Sequence, residues 1–493
     1  MALILEHTAM PIAHTPRRRP LVYVLYIFLI CMLWLLIFMG LLYARSRQLT
    51  AIYTHTVNHA ETQYVHTTSQ HAELPTLDRL APCTKGAAPP PSIAARAAVL
   101  IDAQSGDLLF EKNPNQSIPP ASLTKLVAIY TAMQAIEKGE ISLTDLVIPP
   151  PESWAGNIPP GSSLMFLDEG QQLTVEELLL GMSVVSGNDA AIALAIHTAG
   201  SVQAFVKRMN TIIQEMGLTD TYFEEPSGLD ERNRTTARDF ARFSYKYIQK
   251  YPENLQKFHA VLHFTYPKPA NLLRPQSTQP IHQYATNTLL AQLPGCDGIK
   301  TGFIDESGFN ISLTAQRNGI RFIAVILGGH GKTAQQGKIL RNKNGTSLLE
   351  WAFSAFSTAS LEAIPIASPS IPVLGGSKAG GSFAITPLIA LPSTDTATFT
   401  VLKGHTAHEM PADTIKPRII LPLYLAAPIT AGEKIGRIEL MQKHGAQEYC
   451  VAVFPLVANK SIQQGSSLLW KFDHLAFLVA KKLHMIKEAP LKI

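Results

Sequence analysis

Ser122 and Lys125 stand three residues apart in Ser122-Leu123-Thr124-Lys125, at the head of an apolar stretch that carries no other charge before Ile136. On a helix, residues i and i+3 share a face, so this spacing sets an amine beside a hydroxyl. A serine hydroxyl is a weak nucleophile until a base takes its proton. Lysine can be that base only if its pKa falls, and burial within an otherwise uncharged helix disfavours the ammonium form. Taken alone the tetrapeptide says little, since roughly one S-x-x-K is expected by composition in a chain of this size.

Two further motifs follow. Ser186-Gly187-Asn188 interrupts an apolar helical pattern, placing a hydroxyl and a carboxamide in a break between helices. The hydroxyl suits proton relay to a leaving amine, and the carboxamide suits holding a substrate backbone or the lysine. The competing reading is helix capping, for which Ser, Asn and Asp are all preferred. Lys300-Thr301-Gly302 ends a strand-like run that starts near Gly298. Its cation and hydroxyl suit a substrate carboxylate, and Gly302 allows close approach to the backbone. The plain alternative is a charged edge strand before a turn.

The three motifs occur in one order, 64 residues from Ser122 to Ser186 and 114 from Ser186 to Lys300. That set resembles the signature of β-lactamases and penicillin-binding proteins. Finer features narrow it. The stretches Ala97 to Met133 (with Asp102, Gly106 and Pro119-Pro120-Ala121), Phe223 to Asp239 (with Pro226-Ser227-Gly228-Leu229 and Thr236-Ala237) and Gly295 to Ala315 (with Asp297-Gly298 and Gly308-Phe309-Asn310) are similar to low-molecular-weight penicillin-binding proteins, the serine-type D-alanyl-D-alanine carboxypeptidases. The resemblance implies attack by Ser122 on a peptidoglycan stem peptide ending in D-Ala-D-Ala, with Lys125 as base, and acylation by β-lactams. It implies roles for Ser186 and Asn188 in proton transfer and positioning, for Lys300, Thr301 and Gly302 in substrate binding, and for the Phe303 backbone N–H in holding the oxyanion. Lys338 is a more distant candidate for a second carboxylate cation. No metal or cofactor is required by such a scheme. Two positions depart from the family's commoner residues: Phe303, where His or Tyr is usual, and Glu225, where Asn is usual.

Rival activities share parts of this machinery. A class A β-lactamase needs a further glutamate, and no E-x-x-L-N segment lies between Ser186 and Lys300. A D,D-endopeptidase or transpeptidase working on crosslinks would use the same residues. A membrane-anchored covalent β-lactam sensor without turnover would be expected to carry a cytoplasmic output domain, and only 19 residues precede the apolar span. A silent scaffold that only binds wall peptides would be expected to have lost a motif residue.

The elements that must position these residues are legible in part. Ala97 to Asp102 and Asp107 to Lys112 read as strands split by a Gly-containing turn, and Gly295 to Thr301, Asn310 to Ala315 and Phe322 to Leu327 as further strands of one antiparallel sheet. Leu123 to Ile136 reads as a buried helix, and Thr174-Val175-Glu176-Glu177 is a capping-box pattern opening another. The expected class is α+β: a β-lactamase/transpeptidase-like domain, an antiparallel sheet with flanking helices and a helical cluster, followed by a small all-β domain.

Composition locates the remaining units. The 493 residues are 46% apolar and only 16% charged, with 42 basic and 37 acidic side chains, a net +5. This is ample for sizeable cores and excludes a disordered chain. Pro20 to Tyr43 holds no charge over 24 residues, about 36 Å as a helix, long enough to span a bilayer as an uncleaved anchor; the rival reading is a cleavable signal peptide, against which stand the length of the run and the missing small-x-small cleavage pattern. Arg17, Arg18 and Arg19 before it favour a cytoplasmic N-terminus at residues 1–19 and an extracytoplasmic bulk, periplasmic or on the cell-wall side. Residues 44–91 read as a stem, 92–356 as the peptidase domain, 357–382 as a Pro/Gly/Ser/Ala linker, 383–467 as the β domain, and 468–493 as a basic amphipathic helix that suits either a membrane surface or packing on the β domain. Cys31 lies in the span, and the other three cysteines cannot all pair with one another. Basic residues are dispersed without interleaved aromatics, so nucleic acid is not an expected partner.

Overall fold

The computed structural model describes residues 19–57, 63–67, 89–104, 106–273, 279–361, 364, 366, 370–374, 376, 386–392, 398–402, 415–422, 425–444, 447–465, 467–483 and 485. The chain opens with α1 (Arg19–Val57), a helix long and apolar enough over Val22–Ala51 to cross a membrane. Its side chains from Val22 to Leu41 are largely exposed.

The site is carried by a three-layer unit. Strands β1 (Ala95–Asp102) and β2 (Leu108–Lys112) come first, then helix α2 (Thr124–Glu137), α3 (Val175–Leu180), α4 (Asn188–Ala199), α5 (Val202–Glu215) and α6 (Ala237–Lys250). Strands β3 (Cys296–Ile304), β4 (Gly308–Arg317) and β5 (Ile320–Gly329) and helix α7 (Ala334–Ala355) complete it. The sheet is antiparallel in the order β2-β1-β5-β4-β3, with Val99 opposite Val325 and Lys300 opposite Ser312. Its strands are apolar at successive positions because both faces are covered. Ala97, Val99, Ile101, Ile323, Val325 and Leu327 face the helical cluster of α2, α4 and α6, while Ala98, Leu100, Ala324 and Ile326 face α7 through Leu348, Leu349 and Ala352. Strand β3 lies at the sheet's edge, leaving one side for the site.

A second sheet draws on more of the chain than its composition suggests. Seven strands pair in it, Gln63–Thr67, Ser370–Leu374, Thr386–Pro392, Ile415–Pro422, Leu425–Ala426, Lys434–His444 and Gln447–Ala458, around a core that includes Ile371, Val373, Ile419, Ile435, Ile438 and Leu456. Both spacer readings change here. In the 44–91 stretch, α1 runs on to Val57, since Ala44 to Val57 holds no Pro or Gly, and Gln63–Thr67 pairs in parallel with Ile415–Pro422. In the 357–382 stretch, Phe356–Ser360 pairs with Thr398–Leu402, and Ser370–Leu374 with Thr386–Pro392. Ile371 and Val373 alternate into the core while the Pro and Gly around them dominate the composition.

Helix α8 (Ser467–Lys482) packs along the end of α1. Leu42, Ser46 and Leu49, at i, i+4 and i+7, are buried; the Ser46 hydroxyl lies 2.7 Å from the Ala476 carbonyl, and Phe38 meets Phe472 edge to face.

Candidate active site

The Ser122 hydroxyl is held at the mouth of a turn. Ala121–Leu123 is one turn of 3-10 helix leading into α2, entered with Ala121 at φ 53°, a backbone region that a non-glycine residue seldom occupies. Buried Asn310 on β4 fastens this turn: its Nδ2 donates to the Pro119 and Pro120 carbonyls at 3.0 and 3.1 Å, and its Oδ1 accepts from Gly328 N at 2.8 Å.

Lys125 is fully buried in the first turn of α2. Its Nζ lies 2.5 Å from Asn188 Oδ1, 2.5 Å from the Ser227 carbonyl and 3.2 Å from Ser122 Oγ. Burial lowers its pKa to about 7, against the opposing pull of Glu225 and Asp189. A neutral amine has two N–H donors and one lone pair. The two short contacts go to atoms that only accept, so the lone pair is left for the Ser122 hydroxyl.

Ser186 and Asn188 come from the break predicted between apolar helices. The capping box forms, with the Thr174 hydroxyl accepting from Glu177 N and the Glu177 carboxylate from Thr174 N. The chain then widens into a π turn over Gly181–Val185 and reverses at Ser186, φ 64°, before α4 starts at Asn188. Asp189 is buried behind it and accepts from the backbone N–H groups of Met165, Phe166, Leu167 and Ala190, while Asn188 N donates to the Ser163 carbonyl. The same interruption therefore presents Ser186 and Asn188 and anchors the segment that forms one wall of the cavity.

The third motif lies on the free edge of β3. Lys300 is buried, its Nζ donating to Ser186 Oγ at 2.9 Å and to the Thr301 carbonyl at 3.0 Å. Burial, then Lys125 and Arg341, hold its pKa well below the usual lysine value. Gly302 faces the Ala121–Leu123 turn so closely that an added Cβ would lie 2.9 Å from the Pro120 carbonyl oxygen and 3.0 Å from Ser122 N. This brings the backbone of β3 beside Ser122. Phe303 next to it packs against Phe309 at a tilt, centroids 4.4 Å apart, and remains half exposed.

These residues converge on one cavity of about 310 Å³, lined by Ser122, Ser186, Asn188, Thr301, Gly302 and Phe303, with Lys125 and Lys300 bonded to its lining hydroxyls. Lys338 lines it as well. Sequence reasoning missed Arg341, one turn beyond Lys338 on α7, whose buried guanidinium also lines the cavity and has its pKa lowered to about 10 by burial. The i, i+3 pair of cations on an otherwise ordinary helix was the available signal. Missed too were Ser162 and Ser163 on the wall anchored by Asp189.

The profile of the family described as D-alanyl-D-alanine carboxypeptidase matches residues 84–331. The chain belongs to this family. It is 31% identical to D-alanyl-D-alanine carboxypeptidase DacF of Bacillus subtilis strain 168 over 371 residues, 75% of this chain and 86% of that protein. It is 32% identical to D-alanyl-D-alanine carboxypeptidase DacC of Escherichia coli K12 over 394 residues, 78% of this chain and 89% of that protein. Among solved structures, penicillin binding protein 5 from Haemophilus influenzae aligns at a TM-score of 0.63 and 31% identity, covering 76% of this chain and all of that one. The carboxypeptidase family membership and the expected α+β architecture with a trailing β domain thus agree. Phe303 and Glu225, the two departures from the family's commoner residues, sit respectively on the cavity wall and in the loop that supplies the Ser227 carbonyl to Lys125.

Proposed function

We propose that this protein is a serine-type D-alanyl-D-alanine carboxypeptidase that trims peptidoglycan stem peptides and is acylated by β-lactams. Ser122 Oγ attacks the carbonyl of the penultimate D-alanine as its proton passes to Lys125 Nζ. The oxyanion is held by the N–H groups of Ser122 and Phe303, donors of a kind whose loss costs ~3 kcal/mol of transition-state stabilisation. Ser186, bonded to Lys300, passes a proton to the departing D-alanine amine and takes back the one held on Lys125; water then cleaves the ester, giving its proton to Lys125, which returns it to the Ser122 oxygen. Asn188 holds Lys125 and the substrate backbone. Lys300 and Thr301, with Lys338 and Arg341 further along the cavity, attract the terminal carboxylate. The single observation that carries this reading is the contact of a fully buried lysine, with its pKa near 7, with the Ser122 hydroxyl. We further propose that α1 anchors the chain in the cytoplasmic membrane with the peptidase domain outside, where its substrate is.

The test uses the full chain in detergent micelles. Incubated with a pentapeptide ending in D-Ala-D-Ala it releases free D-alanine, and with a fluorescent penicillin it forms an adduct; Ser122→Ala abolishes both. A persistent adduct without D-alanine release would favour a sensor, rapid penicillin turnover a β-lactamase, and activity confined to crosslinked dimers an endopeptidase.

A further inference from the structure

The loop after Phe223 is organised around one carboxylate. Glu225 accepts from Ser227 N at 2.7 Å, from Ser227 Oγ at 2.6 Å, from Gly228 N, and from Asn233 Nδ2 at 3.0 Å. Asn233 in turn reaches the Thr124 hydroxyl at 3.3 Å, next to Lys125 on α2. The loop so tied turns the Ser227 carbonyl onto Lys125 Nζ and presses Gly228, at φ 88°, against the Ala121 backbone. An isolated neutral side chain at this position could not accept from this many donors.

We propose that Glu225 is a positioning residue for the catalytic base, fixing the Ser227 carbonyl on Lys125 and supplying a negative charge behind it. The proposal rests on the reading of Lys125 as the base. Among the described residues, the charged groups facing Lys125 are Asp189 from α4, Glu225 from this loop, and Lys300 from β3, itself faced by Arg341 of α7. Burial drives Lys125 toward the neutral amine, and Glu225 is the largest opposing influence, ahead of Asp189. Removing the charge therefore shifts the base toward its neutral form, so its acidic limb moves to lower pH. Removing the hydrogen bonds loosens the carbonyl and lowers the maximal rate. A merely structural carboxylate would do only the second.

The experiment measures the second-order rate of acylation by a fluorescent penicillin from pH 5 to pH 9 for the full chain in micelles, its Glu225→Gln and Glu225→Asn variants, and Lys125→Ala. The expected result is a lower plateau in both neutral variants, with the ratio of the pH 6 rate to the plateau rising about threefold or more. An unchanged or smaller ratio, in whichever variant keeps the wild-type circular dichroism, overturns the proposal. Failure of both variants to fold also overturns it, since Glu225 would then serve folding alone. Wild-type acylation by Lys125→Ala would instead sink the base assignment, while its loss with an unmoved limb in the Glu225 variants confines the failure to Glu225.

Discussion

In the proposed reaction Lys125 activates Ser122, and in the fold it is a burden. Its pKa in the folded chain is lowered from 10.5 to about 7 by burial. Between those values the unfolded chain holds a proton that the folded one does not, so stability rises with pH from about 7 to about 10.5, and below 7 the burden of a buried cation is felt in full. Lys300, also buried with a lowered pKa, acts in the same direction. Lys125→Met is therefore expected to be inactive yet more stable, by roughly 1–3 kcal/mol at pH 6.5 and by less at pH 10. Urea denaturation midpoints at the two pH values check this, and equal gains would show that lysine burial is not the cause. Elsewhere on the cavity lining, Arg341→Gln is expected to raise KM for a D-Ala-D-Ala peptide about tenfold while leaving an amidated substrate unaffected, the mark of a guanidinium that attracts a terminal carboxylate. Equal losses on the two substrates, measured by D-alanine and D-alanine amide release, would assign Arg341 to folding.

The elements matter through the turns between them. Gly228 presses on the Ala121–Leu123 turn so closely that an added Cβ would lie 1.9 Å from the Ala121 carbonyl oxygen. Gly228→Ala must therefore displace either Ser122 or the Ser227 carbonyl, and a loss of about 10²-fold in penicillin acylation is expected for a misplacement on the order of 1 Å. Thr174→Ala is the contrast: it removes a cap at the start of α3, with about 1 kcal/mol lost in thermal stability and acylation unchanged. If the two variants lost activity alike, local turn geometry would not be what sets the rate. The capping box, the buried helix and the interruption at Ser186 were legible because each leaves a local pattern of composition and spacing. So were Ser122, Lys125 and Lys300 as a set, once three motifs stood in order. Asn310 and Arg341 were not read as site residues, because what makes them matter is β4 lying beside the Ala121 turn and Arg341 reaching the cavity that Ser122 lines, proximities made across long stretches of chain. The strands at Ser370–Leu374 and Gln63–Thr67 were hidden for a related reason: five residues among Pro, Gly, Ser and Thr carry too little periodicity until a partner strand selects their register.

At the scale of the whole molecule, the two ends of the described chain meet. Helix α1 leads to Gln63–Thr67, which enters the second sheet, and α8, on the far side of that sheet in sequence, returns to lie on α1. Of the two settings expected for the C-terminal helix, the structure adds a third, a neighbouring helix, while Leu475, Leu478 and Leu483 still face outward with Lys471 and Lys482. The contact is narrow: Leu42, Ser46 and Leu49 on α1 take up one stripe, and the small Ala476 lets the helices approach. A bulky residue in place of Ala476 would force them apart. Paired cysteines at Ser46→Cys and Ala476→Cys, in a Cys31→Ala background, are thus expected to crosslink within one chain on mild oxidation in micelles, giving a faster-migrating band whose yield does not change on dilution. Adding Leu42→Trp, which overfills the stripe, should lower that yield severalfold while penicillin acylation stays at the wild-type level, because the site's residues all lie between Ser122 and Arg341. A yield that fell with dilution would mean pairing between chains, and no crosslink at all would separate the two helices.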